Sequence, residues 1–212
     1  MTPLFPHQER AVEAAMRRMP GGFGFFMEQR TGKTRSAIEV ARRLEARRVL
    51  VLCPSQQGNV PKVWLAEAKE QWPNSPQLVN LVGTGAQRAE MLRRLGDRPA
   101  LVVCNYEAAC RTPLGARFGK RGRIEDKGLL ASLDWDVLIT DEGHRLKQHD
   151  GQWHRAAMLI ADKTPVRLTL TGTPMHTPLD AWGLLRTIDP YILHTVHREG
   201  NVSECEHDWK NM

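Results

Sequence analysis

The run Val137-Leu138-Ile139-Thr140 stops abruptly at two adjacent carboxylates, Asp141 and Glu142, with Gly143-His144 behind them. Four apolar or β-branched residues without a charge predict a strand buried on both faces, as in a parallel sheet. Acids at the carboxyl end of such a strand lie where open α/β sheets receive their ligands. A reason for two acids there is found earlier in the chain, at Gly32-Lys33-Thr34. That tripeptide follows the apolar stretch Phe23 to Met27 and opens the amphipathic stretch Thr34 to Arg47, so it marks a strand passing through a loop into a helix. Loop N–H groups, a lysine for the β/γ-phosphates and a threonine hydroxyl for Mg²⁺ complement an aspartate that holds the metal and a glutamate that positions water. The two segments together predict a nucleoside triphosphate site assembled across a long stretch of chain.

The remaining residues alternate in the same way. His7 to Arg18 predicts a short amphipathic helix after Pro6, with Gln8 in its first turn. Val49 to Cys53, Leu78 to Val82, Ala100 to Cys104 and Val166 to Leu170 read as strands; Val60 to Trp72, Ala86 to Leu95, Gln152 to Ala161 and Leu179 to Ile188 read as helices. Ala37, Ile38, Ala41 and Leu44 mark the inner face of the helix after the loop, and Trp64, Ala68 and Trp72 that of the next. Gly21-Gly22 read as a break. Arg111 to Arg123, with Arg111, Arg117, Lys120, Arg121, Arg123 and three glycines, reads as a mobile basic loop. Strands alternating with helices predict an α/β fold, a mainly parallel sheet with helices on both faces and right-handed crossovers.

Composition narrows the class of protein. With 212 residues and 41% hydrophobic content, one large α/β domain is expected over residues 1–190, while residues 191–212 lose periodicity. The excess of 30 basic over 24 acidic side chains gives a net charge of +6, compatible with an anionic partner such as nucleic acid. No basic-then-apolar leader and no run near the roughly 18 apolar residues of a membrane span are read, so a soluble intracellular protein with no membrane partner is expected. The four cysteines lack tight spacing and predict reduced, mostly buried thiols. His194, His197, Cys205 and His207 include zinc-ligand types, but in no finger or ribbon spacing.

Against the pattern G-x-x-x-x-G-K-[ST], Met27 stands at the first glycine, and Arg30 at a loop position that favours glycine. A positive φ at Arg30 implies strain of order 1 kcal/mol. The Gln8 amide has the donor and acceptor an adenine edge requires. His144 reads as a link from the acid pair to Thr171-Gly172-Thr173.

In order, Pro6-His7-Gln8, Thr31-Gly32-Lys33-Thr34, Cys53-Pro54, Asn105-Tyr106-Glu107, Asp141-Glu142-Gly143-His144-Arg145-Leu146-Lys147 and Leu170-Thr171-Gly172-Thr173-Pro174 resemble the amino-terminal motifs of superfamily 2 helicases. More narrowly they are similar to Swi/Snf-type DNA translocases; a DEAD-box RNA helicase carries Ser-Ala-Thr at the last motif. The resemblance implies a RecA-like P-loop NTPase lobe that uses ATP and Mg²⁺ to move along double-stranded DNA. It assigns Gln8, Gln29, Arg30, Thr31, Gly32, Lys33, Thr34 and Arg35 to the nucleotide, and Lys33, Asp141 and Glu142 to catalysis. Thr34 and Asp141 fall to Mg²⁺, and His144, Thr171, Gly172 and Thr173 to coupling. Pro54, Ser55, Asn105 and Tyr106 fall near the nucleic-acid backbone. It also implies a second RecA-like lobe bearing arginine fingers, in the same or another chain. No such lobe is read here, so residues 191–212 are an irregular tail or its beginning, and weak or no turnover by this chain alone is expected. Two alternatives stay open: a non-catalytic ATP-dependent docking module, and the motor half of a restriction or phage complex.

Overall fold

The structure is a computed structural model and describes residues 2–55, 59–120, 123–148, 151–174 and 178–189. In chain order the elements are α1 Pro6–Met16, β1 Gly21–Phe26, α2 Lys33–Arg43, β2 Arg48–Cys53, α3 Asn59–Gln71, β3 Gln77–Asn80, α4 Gly85–Leu95, β4 Ala100–Asn105 and α5 Tyr106–Ala109. There follow β5 Arg117–Phe118, β6 Ile124–Asp126, α6 Gly128–Ser132, β7 Val137–Asp141, a 3-10 turn Gly143–Leu146, α7 Gln152–Ala161, β8 Val166–Thr171 and α8 Pro178–Ile188. Six strands form one parallel sheet in the order β1-β8-β7-β2-β4-β3.

The alternation of side chains along each strand divides the core. Val49, Val51 and Cys53 of β2 join Val12, Ile38, Val40, Trp64 and Ala68 from α1, α2 and α3. Leu50 and Leu52 point the other way and join Leu92, Ala108, Leu130 and Ile160 from α4 to α7. Both faces of the sheet are therefore covered, which is why its strands read as continuous apolar runs. Each fully buried aliphatic side chain contributes about 1.5–3 kcal/mol by leaving water.

Local chemistry sets the helix ends. Thr84 and Gln87 cap α4 reciprocally: the Thr84 hydroxyl accepts from Gln87 N at 3.3 Å and the Gln87 amide oxygen from Thr84 N at 2.8 Å. At the other end of α2, Ala46 N donates to Ala41 O at 3.0 Å while Glu45 turns left-handed at φ 52. That Schellman-type closure stops α2 short of the Arg47 expected from sequence. The strand β1 also departs from expectation by taking in Gly21 and Gly22. A Cβ on Gly22 would lie 1.8 Å from the Ile188 carbonyl oxygen, so glycine there admits the end of α8 rather than breaking the chain.

The basic segment from Arg111 holds a small antiparallel hairpin, β5 with β6, apart from the main sheet. Arg117 pairs with Glu125 at 3.2 Å, and the Arg155 guanidinium lies 3.7 Å over the Phe118 ring. Cys53 and Cys104 are buried free thiols and Cys110 is half-buried; burial pushes the Cys104 thiol up to about 12, so it is unreactive at neutral pH. His194, His197, Cys205 and His207 lie outside the described residues. No helix among the described residues is long and apolar enough to cross a membrane.

Candidate functional site

Every motif read from the sequence falls at the carboxyl edge of the sheet. Register explains this: Phe26 of β1 is level with Thr171 of β8, and Asp141 of β7 with Leu170. The loop Met27–Gly32 thus leaves β1 beside the end of β8, and its first N–H, from Met27, donates to Thr171 O at 3.3 Å. The acid pair lies one strand further on.

The loop is closed by its own side chains. Thr31 Oγ1 donates to Glu28 O at 2.7 Å. From α1, His7 Nε2 and Gln8 Nε2 both donate to Thr31 O at 3.0 Å, and Gln8 Oε1 accepts from Phe5 N at 3.0 Å. Gln8 is buried and acts as a latch between the amino-terminal segment and the loop. Gly32 has φ 82, and a Cβ there would meet Gln8 Nε2 at 2.0 Å, so both backbone and packing demand glycine. The Lys33 ammonium bends back over the loop and donates to Met27 O at 2.9 Å and Glu28 O at 2.8 Å. Thr34 follows in the first turn of α2. Arg35 donates to Thr2 O and Pro3 O, so its charge ties down the amino-terminal segment. Gln29 and Arg30 are exposed.

Arg30 has φ 62, the left-handed backbone that costs a branched-off Cβ about 1 kcal/mol. Arg30→Gly is expected to stabilise the chain by up to about 1 kcal/mol, which for this length raises Tm by roughly 2–4 °C in a thermal melt. An unchanged or lower Tm would show that the guanidinium offsets the strain by contacts of its own.

Asp141 is held from three directions. Its Oδ1 accepts from Glu142 N at 3.0 Å, its Oδ2 from the Trp64 indole Nε1–H at 2.9 Å, and its carbonyl from the Tyr106 hydroxyl at 2.7 Å. Burial, and after it the Glu142 charge, push the Asp141 carboxyl above the usual range, while the Trp64 hydrogen bond and the Lys33 ammonium pull it back. The loop that carries the cation and the strand that carries the acid end at the same edge of the sheet.

Glu142 takes a left-handed conformation, φ 51 and ψ 50, which turns the chain off β7 into the 3-10 turn. A Cβ on Gly143 would lie 2.4 Å from Thr169 Cγ2, so the turn packs tightly on β8. His144 Nδ1 lies 3.0 Å from Thr171 Oγ1 and 3.3 Å from Glu142 Oε2. Thr173 N then donates to Thr171 Oγ1 at 3.2 Å. A chain of contacts thus runs from Glu142 through His144 to Thr171 and Thr173, with Gly172 between them beside Met27 and Gln29.

The four residues expected near nucleic acid divide differently. Pro54 and Tyr106 are buried, and Tyr106 stacks on Trp153 with its hydroxyl on Asp141. Ser55 and Asn105 are half-buried; Ser55 Oγ reaches Glu107 at 3.4 Å and Asn105 caps α5 through Ala108 N at 2.7 Å. Tyr106 thus touches the acid site from inside, and of these four residues Ser55 and Asn105 keep partial exposure. Sequence reading also missed Trp64: its spacing marked a core residue, and the only further signal was that a buried indole N–H must find an acceptor.

A cavity of about 480 Å³ beside the loop is lined by Phe5, His7, Gln8, Arg30, Gly32 and Glu67 among others. A larger one, about 600 Å³, opens by Arg42, Trp72 and Pro99 at the opposite end of the sheet, away from every motif. Chemistry rather than volume selects the first.

Residues 8–201 match the model of the SNF2-related domain. The chain is 37% identical over 117 residues to the probable ATP-dependent DNA helicase CHR23 of Arabidopsis thaliana, covering 54% of this chain and 10% of that protein. It is 36% identical over 147 residues to the nuclear protein STH1/NPS1 of Saccharomyces cerevisiae, covering 67% of this chain and 9% of that one. Among solved structures, the Sulfolobus solfataricus SWI2/SNF2 ATPase core in complex with dsDNA superposes with a TM-score of 0.69 at 22% identity, over 89% of this chain and 36% of that one. The last likeness is one of fold.

Proposed function

Because the chain belongs to the SNF2-related domain family, we propose that it is the ATP-binding lobe of a motor that couples ATP hydrolysis to movement along double-stranded DNA. The observation that carries the reading is the placement of the Lys33 loop at the end of β1 and of Asp141 at the end of β7, two strands away on the same carboxyl edge of the sheet. The 480 Å³ cavity beside Gln8 supports the placement of the base, and the loop N–H groups at the start of α2 that of the phosphates.

In this reading Lys33 exchanges its bonds to Met27 O and Glu28 O for the β- and γ-phosphate oxygens, so binding costs it no unpaired state. Thr34 and Asp141 would hold Mg²⁺, and their hydroxyl and carboxylate are the hard oxygen donors that suit it. Bound there, the ion supplies charge neutralisation to the phosphates. Glu142, aimed by its left-handed backbone, orients the attacking water and receives its proton. His144 joins Glu142 to Thr171, so the state of the phosphates is felt at the β8 end. Gln29, Arg30 and Thr31 border the nucleotide, and Ser55 and Asn105 border the duplex.

These groups leave one side of the γ-phosphoryl group without a cation, the side on which a second RecA-like lobe would present arginine. Arginine of that kind is worth about 10³–10⁵ in rate. The 212-residue chain is therefore expected to bind Mg·ATP with turnover near background, with or without duplex DNA. Supplying an arginine-bearing second lobe is expected to raise turnover by about 10³-fold or more in a phosphate-release assay, and to make it DNA-dependent. Robust DNA-stimulated turnover by this chain alone would overturn the division of labour; no nucleotide binding at all would overturn the site.

A further inference from the structure

We infer that Trp64 is a positioning residue for the metal-facing carboxylate: its indole N–H, delivered by α3 and buried against the end of β7, fixes Asp141 Oδ2. The inference rests on the nucleotide-site reading above and deepens it.

An aspartate at a strand end has two free side-chain torsions, and only directed bonds select one presentation. Oδ1 is bound by the next residue's own N–H, Glu142 N at 3.0 Å, which orients one oxygen but leaves the other to choose. The second oxygen receives Trp64 Nε1–H at 2.9 Å. Tyr106 fixes the backbone of the same residue through its carbonyl, at 2.7 Å. Both aromatic donors are 1% exposed, so water does not compete for either bond. Partners of this kind tune a metal-binding carboxylate through the oxygen they hold and leave the remaining lone pairs for the ion. The helix that brings Trp64 begins at Asn59, shortly after Pro54 and Ser55 at the end of β2. A displacement of α3 is thus transmitted to the carboxylate by a single hydrogen bond.

A purely packing role is the competing account, and Trp72 provides the control. It is a buried tryptophan one residue past the end of α3, in the same core cluster as Trp64. The test is calorimetric titration of the 212-residue chain with a non-hydrolysable ATP analogue, in Mg²⁺ and in EDTA, for the unaltered chain, Trp64→Phe and Trp72→Phe. The Mg²⁺-dependent gain in affinity is expected to fall about tenfold in Trp64→Phe, with affinity in EDTA unchanged within about twofold. Trp72→Phe is expected to keep the full gain even where its Tm falls as far. Full gain in Trp64→Phe, or an equal loss in both variants, would overturn the inference. An unaltered chain that binds the analogue without any gain from Mg²⁺ would instead remove the metal-site reading on which the inference stands. Should Trp64→Phe fail to fold, the indole resonances of the unaltered chain decide: the Trp64 Nε1–H signal, assigned by its proximity to the Asp141 side chain, is expected to shift when Mg²⁺ is added to the nucleotide-bound chain, and a fixed signal would refute it.

Discussion

Lys33→Ala abolishes nucleotide binding: in calorimetric titration with Mg·ATP, affinity is expected to fall by about 10²-fold or more. The magnitude follows from what the ammonium does. It makes two bonds to the loop carbonyls of Met27 and Glu28, and in the nucleotide complex it redirects this bonding capacity to phosphate oxygens. Hydrogen bonds to charged partners are worth about 1.5–3 kcal/mol each, so losing two reaches two or more decades of affinity. Folding changes little, because the truncated side chain is half-exposed and leaves carbonyls that water can reach. Comparable binding by the variant and the unaltered chain, at equal Tm, would refute the assignment of the loop to phosphates.

How much of this site was legible beforehand depends on the scale of the interaction. The strands were readable because burial on both faces leaves no charged residue in Val137–Thr140 or Val49–Cys53, and a parallel sheet puts all their carboxyl ends at one edge. That alone gathers Lys33, Asp141, Glu142 and Thr171. The His144 link also followed, since Asp141 and Leu170 are in register. Arg30 was flagged by the missing glycine and does adopt φ 62. What sequence could not give were contacts between elements distant in the chain. Glycine at Gly22 means a break locally and a close approach of Ile188 globally. The hairpin within the basic segment is two and three residues wide, too short for any period to register. Trp64 is core by pattern and the resemblance puts Tyr106 near nucleic acid, and nothing along the chain says that their polar atoms meet at Asp141. His7 likewise reads as one more exposed helix residue until Thr31 O is placed 3.0 Å away.

Glu142→Gln separates chemistry from binding, which Lys33→Ala cannot do. Glutamine keeps the length of the side chain and an oxygen acceptor toward His144 Nδ1, now 3.3 Å from Glu142 Oε2. It leaves untouched the close fit of Gly143 onto β8 that follows the left-handed Glu142 backbone at φ 51. What it loses is the base. Positioned general bases contribute about 10²–10⁴ in rate, and that is the drop expected in single-turnover hydrolysis with the second lobe supplied. Nucleotide affinity should hold or rise, because removing the Glu142 charge lifts one of the influences that make ionised Asp141 unfavourable in its buried place. A variant that traps Mg·ATP unhydrolysed, beside one that never binds it, would assign the two ends of the crevice to different steps. Turnover at the unaltered rate with glutamine in place would mean that water is oriented by another group, and the nearest candidate on the same face is the His144–Thr171 pair.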